Sequence, residues 1–100
     1  MGNSDEKSTY EKKMEARLRE LDAEMELLRA KADKLEADAE ERGRTVLDDL
    51  RDKRKEIAGQ LQEYQKSAGS ALDEVRRGLE SAIGDFAEGV RRASDRFEKR

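Results

Sequence analysis

The apolar residues of this chain lie on helical registers, and no Pro in 100 residues forces a register to stop. From Met14 the pattern is a heptad. Met14, Leu18, Leu21, Met25, Leu28, Ala32, Leu35 and Ala39 alternate spacings of four and three. Apolar residues spaced in this way form a seam along one side of a helix, and a sustained seam is the mark of a coiled coil. From residue 46 the spacing becomes four, three, four, an 11-residue repeat. Its columns are Val46, Ile57, Ala68, Leu79, Val90; then Leu50, Leu61, Leu72, Ile83, closed by Ser94; then Lys53, Tyr64, Val75, Phe86, Phe97. Eleven residues in three turns is about 3.67 per turn, which suits straight or slightly right-handed helices.

Composition narrows the chemistry. Neither His nor Cys is present, which removes an ordinary zinc site, an imidazole base, a thiolate and a disulfide. Carboxylates are abundant, but Glu40-Glu41 and Asp48-Asp49 are adjacent pairs and so point to different helix faces. No apolar pocket is evident to raise the pKa of either pair. No enzyme activity, cofactor or metal is therefore expected. The net charge is −3 with 22 basic and 25 acidic residues, which lacks the basic footprint of nucleic-acid binding. The densest basic run, Arg51-Asp52-Lys53-Arg54-Lys55, is interrupted by an acid and reads as a solvated face. No apolar run approaches the roughly 20 residues of a membrane span, and the N-terminus has no apolar signal segment. A cytoplasmic protein is the expectation.

Residues 1–7 read as a disordered tail, and 8–98 as a single helical domain. Ser8 with Glu11 makes a capping box that opens the first helix. Two places offer a break. Gly43 precedes Thr45 and Asp48, and Ser67-Ala68-Gly69-Ser70 precedes Asp73. The second is favoured, because Ser70 is a good N-cap and Asp73 suits the first turn. The predicted fold is all-α: a long helix over 8–66 and a shorter antiparallel helix over 70–98, forming a coiled-coil hairpin. The alternative is a three-helix arrangement with an extra break near 43. In the hairpin the first helix is about 88 Å long and the second about 43 Å. The shorter helix covers half of the longer one, so the 14–39 seam would need another chain.

Three sets of contact residues follow. The interaction seam is Met14, Leu18, Leu21, Met25, Leu28 and Leu35. Hairpin packing falls to Leu61, Tyr64, Leu72, Val75, Leu79, Ile83, Phe86, Val90 and Phe97. Beside that face lie Ala71, Gly78, Ala82, Gly89 and Ala93, spaced seven and four. Gly inside a helix costs about 1 kcal/mol against Ala, so Gly78 and Gly89 suggest a ridge where a neighbouring backbone approaches closely. Gly84 lies off both stripes. Opposite the seam, Ala16, Ala23, Ala30 and Ala37 recur every seven residues; they serve helix propensity at solvent positions, or form a second, shallow contact stripe for another helix. Seven acid-to-base pairs at i, i+4 add about 0.2–0.5 kcal/mol each: Glu15–Arg19, Asp38–Arg42, Glu40–Arg44, Asp49–Lys53, Asp73–Arg77, Glu88–Arg92 and Asp95–Lys99.

Two other classes compete with self-association. The 11-residue repeat with two Phe in 70–100 also fits a helix lying on a membrane surface, although that stretch has equal numbers of acids and bases and no Trp. Leu, Ile, Val and Phe number 17, below the roughly 20% of ordinary globular chains, which leaves room for a hydration-type protectant that folds on drying.

Tyr10-Glu11-Lys12-Lys13-Met14, Leu21-Asp22-Ala23, the run from Leu28 to Asp33, and Ala37-Asp38-Ala39 resemble a family of small bacterial coiled-coil proteins associated with stress responses. The likeness resumes at Ser70-Ala71-Leu72-Asp73-Glu74-Val75, Gly78-Leu79-Glu80-Ser81-Ala82 and Asp85-Phe86-Ala87-Glu88-Gly89-Val90, and spans roughly 10–97. The resemblance implies a helical, non-enzymatic protein linked to salt, light or desiccation-type stress. The combined expectation is a coiled-coil protein that self-associates as a homo-oligomer through helix faces or scaffolds a protein partner. A membrane surface is the second choice, and no nucleic acid is expected.

Overall fold

The computed structural model describes the backbone of residues 2–98 and the side chains of 6–97. Three helices follow one another: α1 (Gly2–Asp33), α2 (Ala37–Lys66) and α3 (Ser70–Glu98). All three pairs of helices touch, and the body measures 55 × 18 × 16 Å. Tyr10 of α1 lies against Tyr64 of α2 and Arg76 of α3. At the other end, Gly43 of α2 lies against Ala32 of α1 and Phe97 of α3. So α1 and α3 run parallel and α2 runs against both.

The all-α class and the break before Ser70 match the sequence reading. The two-helix hairpin gives way to its three-helix alternative, but the extra break is at 34–36 and not near 43. Lys34 N–H donates to the Lys31 carbonyl and Leu35 N–H to that of Ala32, both at 3.1 Å, a tightened last turn that closes α1. Glu36 is extended (φ −66°, ψ 158°) and begins α2 without a side-chain cap. Gly43 lies inside α2 and is buried. A Cβ there would stand 3.3 Å from the Phe97 ring and 3.5 Å from Ala32 Cβ. The glycine gives room for the α3 terminus where the sequence suggested a stop. The N-terminus also departs from expectation: α1 begins at Gly2 and runs through Ser8, so residues 2–7 are helical rather than a disordered tail, and the Ser8–Glu11 box opens nothing.

The second turn is built as the sequence suggests. Gly69 has φ +63°, a left-handed conformation that costs other residues roughly 1–2 kcal/mol. Ser67 accepts the end of α2: its N–H bonds the Tyr64 carbonyl and its hydroxyl the Glu63 carbonyl at 2.7 Å. Ser70 is the first residue of α3 rather than its cap, because the Gly69 carbonyl receives the Leu72 N–H.

Helix spacing dictates the core. From α1 come Tyr10, Leu18, Leu21, Leu28 and Ala32; from α2 Leu47, Leu50, Ile57 and Tyr64; from α3 Leu79, Ile83, Phe86, Val90, Ala93 and Phe97. No polar or charged side chain among the described residues is buried with them. Of the seven predicted i, i+4 pairs, Glu40–Arg44 and Glu88–Arg92 form, each at 2.6 Å. Lys99 of the Asp95 pair lies outside the described residues. Arg54 leaves the expected solvated basic face and makes a two-pronged bond from α2 to Asp22 of α1, Nε to Oδ1 at 2.8 Å and Nη2 to Oδ2 at 3.2 Å.

Candidate interaction surfaces

The seam expected to face another chain is closed by its own. Leu18, Leu21 and Leu28 are buried, and Met14, Met25 and Leu35 pack against the same core. With the chain broken at 34–36, α2 and α3 cover α1 along its length, so the seam needs no second copy. The residues expected in hairpin packing lie in or against the core of the three-helix bundle. Tyr64, Leu79, Ile83, Phe86, Val90 and Phe97 are buried, and Leu61, Leu72 and Val75 are half-buried against them. The apolar face of α3 that a lipid-surface reading would use is this same buried face, so such binding requires the bundle to open.

The small-residue ridge divides. Gly89 approaches α2 so closely that a Cβ would lie 2.8 Å from Leu50 Cδ2. Ala93 is buried and Ala82 packs against the core. This part is a close-approach line inside the bundle. Gly78 and Ala71 are exposed, and a Cβ on Gly78 would meet nothing within 4 Å. Gly59 and Gly84 are equally open.

At the end that carries the N-termini of α1 and α3, an aromatic clamp ties the three helices. The Tyr10 and Tyr64 rings lie 5.0 Å apart at 49°. Arg76 stacks 4.6 Å from the Tyr10 ring centroid, within the range of a cation–π contact. Lys7 Nζ donates to the carbonyls of Gln65 and Ser67 at 2.7 and 2.9 Å, which satisfies the exposed end of α2 and complements its dipole. The Tyr10 hydroxyl is buried and faces the Glu80 carboxylate. Burial, with the Glu80 carboxylate as a nearby negative charge, pushes its pKa up to about 12. Burial also raises that of Tyr64. A phenol held neutral in this way is a packing element. Sequence reasoning passed over Tyr10 as part of the core, although it stands four residues before Met14 on the seam.

At the opposite end a cleft of about 700 Å³ opens between the 34–36 turn and the α3 terminus, with Leu35, Val46 and Phe97 on its apolar side and Arg42 and Arg96 at its rim. Among the described residues no group of three or more Asp or Glu side chains could hold a metal ion, and no helix is long and apolar enough to cross a membrane.

The remaining surface of interest is the outer face of α1. Ala16, Ala23 and Ala30 are exposed there, and between them Leu27 is 63% exposed, the one large hydrophobic so placed among the described residues. Ala37, the fourth member of the predicted stripe, begins α2 and drops out of it. Leu27 was missed because it lies off the stronger seam; it sits four residues after Ala23 and three before Ala30.

No protein-family model, curated protein or solved structure matches the chain.

Proposed function

We propose that this protein is a non-enzymatic, self-associating helical module that uses the outer face of α1 as its contact surface. The observation that carries the reading is Leu27, 63% exposed in a row of exposed alanines on the side of α1 away from the core. The bundle closes its own seam, so association needs a face that folding does not consume, and this row is such a face. Burying the exposed part of one Leu contributes about 1–2 kcal/mol per copy, against an association cost of several kcal/mol. Contact through this face is therefore weak and suits scaffolding at high local concentration. The link to stress responses rests on the sequence resemblance over 10–97.

Sedimentation equilibrium of the full chain up to about 1 mM, with Leu27→Glu as the comparison, tests the reading. The wild type should associate, and the variant should remain monomeric with an unchanged helical circular dichroism spectrum. A wild type that stays monomeric throughout, or a variant that associates equally well, overturns it.

A further inference from the structure

We infer that the second copy docks on α1 antiparallel, about a two-fold axis between Leu21 and Asp22, in a register chosen by the charges that flank the Leu27 row. The inference rests on the self-association proposed above and specifies its geometry. Ala16, Glu20, Ala23, Leu27 and Ala30 are spaced four, three, four, three. At about 100° per residue this row is centred roughly 160° from the buried row of Leu18, Leu21 and Leu28, so a second helix can lie along it without meeting α2 or α3.

The flanks of the row are fully charged. Lys12, Arg19, Glu26 and Asp33 run along one side; Arg17, Glu24 and the half-buried Lys31 lie on the other. The six other than Lys31 are exposed. None of them shares in the ion pairs made among the described residues, which join Asp22 to Arg54, Glu40 to Arg44, Asp48 to Arg51, Arg76 to Glu80 and Glu88 to Arg92. Arg19 does not take up Glu15, its i−4 neighbour. Flanking charges of this kind set partner orientation and register in helix pairs.

In an antiparallel pair each flank faces the same flank of the second copy. The axis between Leu21 and Asp22 brings Arg19 beside Glu26 of the second copy, Lys12 beside its Asp33, and Arg17 beside its Glu24. Symmetry makes each contact twice, and every one of them is attractive. Leu27 then lies over Ala16 of the second copy, and Glu20 over its Ala23, a small neighbour that leaves the carboxylate a path to water. Neighbouring registers keep fewer attractive contacts, Arg19 beside Asp33 in one and Lys12 beside Glu26 in the other. One heptad in one direction sets Glu24 against Glu24 and Glu26 against Glu26; one heptad in the other sets Arg17 against Arg17 and Arg19 against Arg19. A parallel pair in register keeps Arg19 beside Glu24 and Glu26 beside Lys31, but sets Glu20 against Glu20 and Lys12 against Arg17. Like charges so placed select against those arrangements.

The charge swap tests it, by sedimentation equilibrium of the full chain at low salt with Arg19→Glu, Glu26→Arg, the double variant R19E/E26R, and an equimolar mixture of the two single variants. Each single variant should weaken self-association about tenfold or more. The double variant and the mixture should both recover it, because each restores opposite charges at both contacts. Raising NaCl to about 1 M, where the screening length is near 3 Å, should weaken the wild type and reduce the differences among variants. Association that is abolished by Leu27→Glu yet indifferent to Arg19→Glu, or that the double variant fails to restore, overturns the antiparallel register and leaves the use of this face standing. A wild type monomeric at about 1 mM removes the proposed function itself, and this geometry with it.

Discussion

The glycines of this bundle separate those the packing requires from those it merely tolerates, and the separation can be measured. Gly59, Gly78 and Gly84 lie inside helices with nothing within 4 Å of where a Cβ would sit. Replacing each by Ala should stabilise the fold by up to about 1 kcal/mol, the helix-propensity difference. Together they should add about 2–3 kcal/mol, and a domain of this size gains roughly 4–8 °C in Tm per kcal/mol. Gly89 is different. An added Cβ would lie 2.8 Å from Leu50 Cδ2, and Leu50 is itself 3% exposed. The same propensity gain is there offset by repacking a core methyl, so Gly89→Ala should be near neutral. The larger change separates the sites more sharply. Gly78→Leu should be tolerated, whereas Gly89→Leu should cost about 1–3 kcal/mol, as overpacking of a filled core does. Urea and thermal unfolding followed by circular dichroism read both series. Equal tolerance of Leu at 78 and 89 would refute the close approach of α3 to α2, and with it the division of the small-residue ridge.

Two further outcomes follow from the ends of the helices and from the aromatic clamp. Glu36 starts α2 in an extended conformation without a side-chain cap, so Glu36→Asp should stabilise by about 1 kcal/mol by bonding an orphan N–H of the first turn, seen as a rise in Tm. Tyr10 ionises near pH 12 in the fold because burial, then Glu80, disfavours the phenolate, against about 10 in the unfolded chain. Between these values the unfolded state holds fewer protons, so stability falls as pH rises, by at most about 1.4 kcal/mol per unit from this group. Tyr10→Phe should flatten that alkaline loss relative to the wild type in urea melts from pH 9 to 11.5; parallel curves for the two proteins would remove Tyr10 as its source.

Much of the fold was legible in the apolar spacing. The turn before Ser70 was found because Gly69 and its Ser neighbours are local signals, and local signals act wherever the chain goes. The column Leu79, Ile83, Phe86, Val90 and Phe97 was found because α3 buries its whole apolar face. The core of α2 was read less well. Gly43, Leu47, Leu50, Arg54, Ile57, Leu61 and Tyr64 are spaced four and three throughout, but the row begins with a glycine and holds an arginine at its centre. An 11-residue reading of the same stretch omits Leu47, which is buried. Arg54 can occupy the row because it is only half-buried there and its guanidinium reaches Asp22. Gly43 can begin it because the Phe97 ring fills the space beside it. Both compensations come from other helices, so no window along the sequence displays them.

The break at 34–36 shows why the surface available for contact could not be read from periodicity. Nothing local marks it: Lys34, Leu35 and Glu36 include neither Gly nor Pro nor a favoured cap, and the heptad runs through them in phase. Breaking a helix there forfeits a few backbone hydrogen bonds, each worth about 0.5–1.5 kcal/mol net once water replaces the partner. An unbroken helix over 8–66 would instead leave Leu18, Leu21 and Leu28 exposed, each worth about 1.5–3 kcal/mol when buried. Met14, Met25 and Ala32 add to that side. A second chain could supply the same burial, but only after paying the loss of translational and rotational freedom, whereas a three-residue turn brings α2 to the seam at a high effective concentration. Closure within the chain therefore outcompetes closure between chains at this seam. The strongest heptad in the sequence is spent on folding, and what α1 leaves exposed is the weaker row of Ala16, Ala23, Leu27 and Ala30.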